Sequence, residues 1–243
     1  MAQAVHVVGV GMIPFTKPGA SEAYNVMGAQ ATQKALDDAG IDYSLVQQAY
    51  VGYVFGDSTA GQAALYGVGM TGIPVFNVNN NCATGSTALF LARQAVASGV
   101  ADCVLALGFE QMVPGALKGT WTDRPSPLGR FIDTLTEDQG WEPTAPRAAQ
   151  FFGGAARDYI QQYGIAPSTF ARISVKARQH AARNPLAVFR QTVTLDEVMA
   201  SPSVFDPLTR LQCGPPTCGA AAAIVCSEAF ARQHGLDMRV RIA

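Results

Sequence analysis

The sequence predicts an α/β fold, a sheet with helices on its faces. Three observations carry that expectation. Short runs of β-branched and aromatic residues (48–55, 75–78, 101–108) alternate with segments of helical length, the pattern of strand–helix–strand units. The run ADCVLALG over 101–108 is apolar at successive positions from Cys103 on, as in a strand covered on both sides. From Ala83 to Ala97 only Arg93 and Gln94 are strongly polar, so that helix has no wide solvated face and is expected near the middle of the molecule, covered on two sides.

Taken in order, Ala4–Val10 reads as a buried strand running into the turn residues Gly9 and Gly11, with His6 a packed residue within it. Ser21–Ala39 is an amphipathic helix: Val26, Met27, Ala31, Ala35 and Leu36 oppose Gln30, Gln33, Lys34, Asp37 and Asp38, and Gly40 supplies the C-cap. A strand over Gln48–Phe55 leads into a glycine-rich passage read as turn, short helix and turn. Gly67 and Gly69 form a G-x-G there, but without a strand-turn-helix context and a third glycine it does not indicate a dinucleotide site. After the central helix and the 101–108 strand, residues 219–227 (GAAAAIVCS) return as a strand of small residues suited to close packing against a neighbour, the central helix being one candidate. Glu228–His234 forms a short helix, and MRVRIA begins a last strand.

Between them, residues 113–200 change character. Pro125, Pro127, Pro143 and Pro146, with Trp121 and Trp141, mark an irregular insertion. It contains helices at about 146–163, with Phe152, Ala155, Ala156, Tyr159 and Tyr163 on one face expected to pack, and at 168–182, stopped by Asn184–Pro185. Thr194–Glu197 is a capping box opening a third helix. The expected division is a core of 1–112 and 201–243 with an inserted domain of 113–200. Ten of the 17 Lys/Arg fall in that insertion, against three in residues 1–112. A solvated helical face accounts for such a bias as well as a phosphate site does.

Composition excludes several classes. The 243 residues carry a net charge of −1 and 49% hydrophobic residues, which disfavours both disorder and a nucleic-acid footprint. The five cysteines show no C-x-x-C spacing and no histidine neighbour, so no metal site is expected, and their scatter suits a reducing compartment. With no basic n-region and no apolar run of about eighteen residues, neither signal peptide nor membrane span is expected. The protein is expected to be soluble and cytoplasmic.

The chemistry-bearing stretch is VFNVNNNCATGSTAL. It reads as strand, sharp turn and helix with Cys82 on the turn, where the helix dipole and unpaired N–H groups favour thiolate. A buried structural cysteine is the alternative. Against it stand the polar Asn79, Asn80 and Asn81 before the cysteine, the small Ala83 and Gly85 after it, and the hydroxyls of Thr84, Ser86 and Thr87. Small residues there let a substrate carbonyl approach backbone donors.

NVNNNCATGSTAL, the preceding GYVFGDSTAGQAALYGVGMTGIP, ADCVLALGFEQM, and LDEVMASPSVFDPLTRLQCGPPTCGAAAAIVCSEAF together resemble the amino-terminal half of thiolases of the sterol carrier protein X and lipid-transfer-protein type. The resemblance spans the whole chain. It implies a βαβαβαββ half-fold with an inserted, mainly helical loop domain, the second half of the fold being absent from these residues. It also implies thiolysis of a 3-ketoacyl-CoA: a cysteine at the position of Cys82 takes the acyl group while acetyl- or propionyl-CoA leaves as a carbanion, and CoA then removes the acyl group. Cys82 is the implied nucleophile, its own N–H an oxyanion donor, and Asn81, Met112 and Gly214 are implied substrate-binding positions. CoA is then a substrate, gripped mainly by the loop domain, and no cofactor is implied. The implied partner is a chain supplying the second half, in a homodimer or hetero-oligomer with the strand before Cys82 at a two-fold contact. A steroid side-chain retro-aldol lyase subunit and a non-catalytic assembly or lipid-binding subunit are the competing readings. Two departures stand out. The G-H-P and H-D-C-F-type motifs that supply the family's histidines do not occur here, and Cys218 stands where relatives show an aspartate before the Gly-Ala-Ala-Ala strand.

Overall fold

A computed structural model describes residues 3–116 and 123–243; Trp121 lies outside them. The chain divides into two compact units, one of residues 1–114 and 216–243 and one of Gly115–Pro215.

The first unit is a six-stranded sheet. Its strands are β1 (Val5–Met12), β2 (Gln48–Gly52), β3 (Val75–Val78), β4 (Cys103–Glu110), β7 (Gly219–Ser227) and β8 (Val240–Ile242), in the spatial order β3-β2-β4-β7-β1-β8. β2 runs parallel to both β3 and β4, while β7 lies antiparallel between β4 and β1. Its helices are α1 (Tyr24–Ala39), α2 (Ala60–Tyr66), α3 (Thr84–Ala97) and α8 (Glu228–His234). α1 ends where Gly40 adopts φ 68° and bonds the Asp37 carbonyl while Ile41 reaches back to Leu36, the glycine stop expected from sequence.

Each face of the sheet has its own core. On one, Met27, Ala31, Ala35 and Leu36 of α1 and Leu65 of α2 bury Leu105, Leu107 and Ile224. α1 rides directly on β1 because Gly9 and Gly11 carry no Cβ, which would overlap the carbonyls of Ala35 and Ala31. The small strand β7 serves the same purpose, with Ala220 and Ala222 in this core. On the other face, Ala92 and Val96 of α3 cover Val5, Val104 and Val225. That cover is partial. Phe90 on α3 and Val10 and Val240 on the same side of the sheet are each 58% exposed. The all-apolar helix has one face packed and one bare.

The second unit holds α4 (Gly129–Gln139), α5 (Arg147–Tyr163), α6 (Ser168–Ala181), α7 (Leu195–Ala200) and a two-stranded hairpin of β5 (Ser203–Phe205) and β6 (Leu208–Thr209). The structure moves the expected boundary at 200 to 215. The Thr209 hydroxyl donates to the Val198 carbonyl and Leu211 N–H to Ser201 Oγ, tying the hairpin and the turn after it to α7. The capping box at Thr194 and Glu197 forms as read. The packed face of α5 differs from the aromatic one expected. Ala149, Gln150, Gly153, Gly154 and Ala156 are its buried residues, while Phe152 is 72% exposed and Tyr159 and Tyr163, more than half exposed, lie against each other with Tyr159 beside Phe170. The glycines decide this: a Cβ on Gly154 would meet the Gln139 side chain of α4, and one on Gly153 the Phe205 ring of β5, so neighbours approach the glycine face. Among the described residues, no helix is long and apolar enough to cross a membrane.

Candidate active site

In the parallel set, β2, β3 and β4 reach one edge of the sheet together, with Gly52 in register with both Val78 and Gly108. Open α/β sheets place their ligands outside this carboxyl edge. The turn 79–83 leaves it from β3 and feeds α3.

That turn is fastened by side chains the sequence placed there. Asn81 takes φ 48°, a left-handed conformation asparagine tolerates better than most residues. Thr84, almost fully buried, donates its hydroxyl to the Asn81 carbonyl at 2.6 Å and accepts the Asn80 N–H at 2.8 Å. The Asn80 side chain donates to the Thr87 hydroxyl at 3.0 Å, and that hydroxyl donates to the Ala83 carbonyl. With the polar groups engaged this way, Cys82 projects into solvent two residues before the helix begins. The N–H groups of Cys82, Gly85 and Ser86 have no acceptor among the described residues, and the space beside Gly85 is open. An exposed thiol beside free amides at the positive end of a helix can attack a carbonyl carbon while those amides hold the oxygen.

β2 carries the turn. Gly52 lies against Thr84, and the Tyr53 N–H donates to the Val78 carbonyl at 3.3 Å. At the end of β4, three successive residues each anchor a different element. The Glu110 carboxylate accepts the Val54 and Phe55 N–H groups at 3.0 Å each; burial pushes its pKa up, and these bonds oppose the shift. The Gln111 side-chain oxygen accepts the Tyr24 N–H at the start of α1. The Met112 N–H donates to the Cys218 sulfur at 3.2 Å, whose thiol faces the Met112 carbonyl at 3.4 Å. Cys218 thus both accepts and donates here, which an ionised carboxylate cannot do.

Of the expected site residues, the first unit holds Cys82, Asn81 and Met112. Cys82 and Asn81 share the turn, and Met112 follows β4 at the same edge, packed partly into the core on the α1 side. Gly214 is an exposed loop residue of the other unit. None of the three histidines sits on the elements that carry Cys82. His6 is on β1, where its Nδ1 lies 3.0 Å from the Met238 carbonyl; His234 ends α8 against Phe230; His180 is on α6. Cys103 and Cys226 face each other across β4 and β7, both buried and both pushed up to about 12, mainly by desolvation. The basic residues of the second unit divide by use. Arg157 and Arg178 lie over the rings of Phe205 and Phe189, whereas Arg172 and Lys176 are exposed on α6 and Arg183 is exposed in the turn after it. Sequence reasoning missed Glu110; its signal was a lone acid closing an otherwise apolar strand.

The profile of the thiolase N-terminal domain matches residues 5–229. Sterol carrier protein 2 of Gallus gallus is 51% identical over 239 residues, 98% of this chain and 44% of that protein. The benzoylsuccinyl-CoA thiolase subunit BbsB of Thauera aromatica is 32% identical over 246 residues, 100% of this chain and 60% of that protein. Among solved structures, an aldolase described as Ltp2-ChsH2(DUF35) superposes with a TM-score of 0.75 at 24% identity, over 96% of this chain and 58% of that one, a likeness of fold. The chain therefore spans about half the length of the curated relatives it matches.

Proposed function

The chain belongs to the thiolase family, whose N-terminal domain it carries, and on that premise we propose that it is the nucleophile-bearing half of a thiolase-type acyltransferase acting on 3-ketoacyl-CoA thioesters of lipid origin. The observation that carries this reading is the placement of Cys82, exposed on a bolted turn beside the free amides of the first turn of α3. The Cys82 sulfur attacks the keto carbon, and the backbone N–H groups hold the oxygen as it gains charge. The bond between C2 and C3 breaks, the electron pair leaves on the α-carbon of the departing acyl-CoA, and that carbanion takes a proton. CoA then attacks the thioester and restores the cysteine. The protons require a base and an acid that the elements carrying Cys82 lack, so a second half, from another chain or from further sequence, supplies them. Its proposed seat is the bare side of α3 and the sheet, marked by Val10, Phe90 and Val240. The edge strand β3, with Phe76 half exposed, is the proposed two-fold contact. CoA is the second substrate in this reading, and no metal or further cofactor takes part.

The test is thiolysis followed by loss of the ketoacyl-CoA enolate absorbance, for this chain alone and for this chain with the C-terminal thiolase half of a relative. Turnover is expected only with the second half, and Cys82→Ala abolishes it. Turnover by the chain alone that survives Cys82→Ala would exclude the mechanism.

A further inference from the structure

We infer that Glu110 is a positioning residue for Cys82, an inference that rests on the reading of Cys82 as the nucleophile. Pairing of β2 with β3 and β4 ends at Gly52, so the residues that follow have no ladder to hold them. Yet Gly52 and the first of them, Tyr53, are what the cysteine turn and the strand end before it are built against. Gly52 seats Thr84, the side chain that closes the turn, and the Tyr53 N–H holds the Val78 carbonyl one residue before Asn79. The next two N–H groups, of Val54 and Phe55, go to separate oxygens of one carboxylate, that of Glu110.

The choice of side chain follows from the geometry. Two successive main-chain donors pointing the same way require two acceptors on one rigid plane, which a carboxylate provides. An amide of the same shape provides one acceptor and sets its own N–H against the second donor. The anion sits half buried, and no Lys or Arg bonds it among the described residues, so its bonding partners are main-chain N–H groups. A buried carboxylate held in this way ties the strip firmly, because releasing either N–H leaves a charge undersolvated. Glu110 acts on Cys82 through Gly52–Phe55 and through Val78 and Thr84, touching neither thiol nor substrate.

The experiment measures the rate at which iodoacetamide alkylates Cys82, read by peptide mass spectrometry across a pH series, in the wild-type chain, Glu110→Gln, and Gln111→Ala. The last removes the neighbouring anchor to α1 and serves as the control for general loosening at this edge. Circular dichroism confirms that each is folded. Glu110→Gln is expected to slow Cys82 alkylation at pH 7.5 by about threefold or more and to displace its pH–rate profile upward, while Gln111→Ala moves neither. Should Glu110→Gln fail to fold, Glu110→Asp, which keeps both oxygens but withdraws them by one methylene, is expected to give the same two changes. Wild-type rates in a folded Glu110 variant, or equal slowing by Gln111→Ala, would overturn the inference. Failure of the nucleophile reading is distinguishable: it shows in the wild-type chain, as alkylation of Cys82 no faster than that of Cys213.

Discussion

Gly52→Ala tests whether close approach of β2 to α3 sets the catalytic turn. A Cβ built on Gly52 lies 2.6 Å from the Thr84 methyl carbon, 2.8 Å from its carbonyl oxygen and 2.9 Å from its carbonyl carbon. Two of those atoms are main chain and cannot rotate away, so restoring van der Waals contact moves the first turn of α3 by about 0.5–1 Å. Overpacking of this kind costs about 2 kcal/mol. The stiffer unfolded chain of an alanine variant offsets ~0.5 kcal/mol, leaving ~1.5 kcal/mol, a fall in Tm of about 3–6 °C for a chain of this length. The same shift pulls Thr84 from Asn80 and Asn81, so Cys82 alkylation slows as well. Gly85→Ala is the comparison: nothing lies within 4 Å of its added Cβ, and replacing a helical glycine stabilises by roughly 0.5–1 kcal/mol, although the new methyl crowds the free amides and lowers thiolysis in the reconstituted enzyme. Differential scanning fluorimetry with timed alkylation reads both. If Gly52→Ala melts no lower than Gly85→Ala, the contact does not hold the turn.

Three further outcomes are expected. With limiting iodoacetamide at pH 8, Cys82 is labelled well before Cys103 and Cys226, which are shut from solvent and whose burial pushes their thiols up, away from thiolate; peptide mapping that finds all five cysteines equally labelled would remove the basis for the nucleophile assignment. Thr84→Val takes the hydroxyl acceptor from the Asn80 N–H and the hydroxyl donor from the Asn81 carbonyl, which keeps the Thr84 N–H, and lowers stability by about 1–3 kcal/mol in urea unfolding, Thr84→Ser restoring most of it. Without a second half, the chain self-associates and binds ANS through the side of α3 that leaves Phe90 exposed; a clean monomer in light scattering with no dye response would show that this face needs no cover.

The core was largely legible in the sequence, and the reasons are local. β7 and α8 begin and end where the small-residue run, Ser227 and Gly235 place them, because a buried strand needs continuous apolar residues and the Ser227 hydroxyl caps Phe230 N–H. The turn at Cys82 was legible because its polar residues have no other use in so apolar a stretch. Less legible was whatever depends on partners distant in sequence. β2 was read through Phe55 but stops at Gly52, and after the Tyr53 N–H, which still reaches Val78, Glu110, more than fifty residues away, takes those of Val54 and Phe55. α4 went unread despite the helical spacing of Phe131, Ile132 and Leu135, because no side-chain N-cap marks its start and the prolines before it, Pro125 and Pro127, read as irregular chain. The face of α5 was misjudged because hydrophobicity points to the aromatics, whereas close packing selected the glycines.

The position of β7 has a consequence for how the chain comes into being. It lies between β4 and β1, pairing with both along nearly its full length, yet it leaves the ribosome only after all of residues 115–215. Until then β1 and β4 have no strand between them, and the first unit is an open sheet waiting for its centre. The inserted unit therefore has the time of its own synthesis to fold before the sheet can close. Closure depends on contacts that span more than a hundred residues, which makes it a slow step. Lengthening the insertion adds little to that cost, about 0.6 kcal/mol for each doubling if it behaves as a flexible loop and less if it is already folded. The two units can thus vary in sequence and size on separate terms, the inner one constrained at the neck where Met112 meets Cys218.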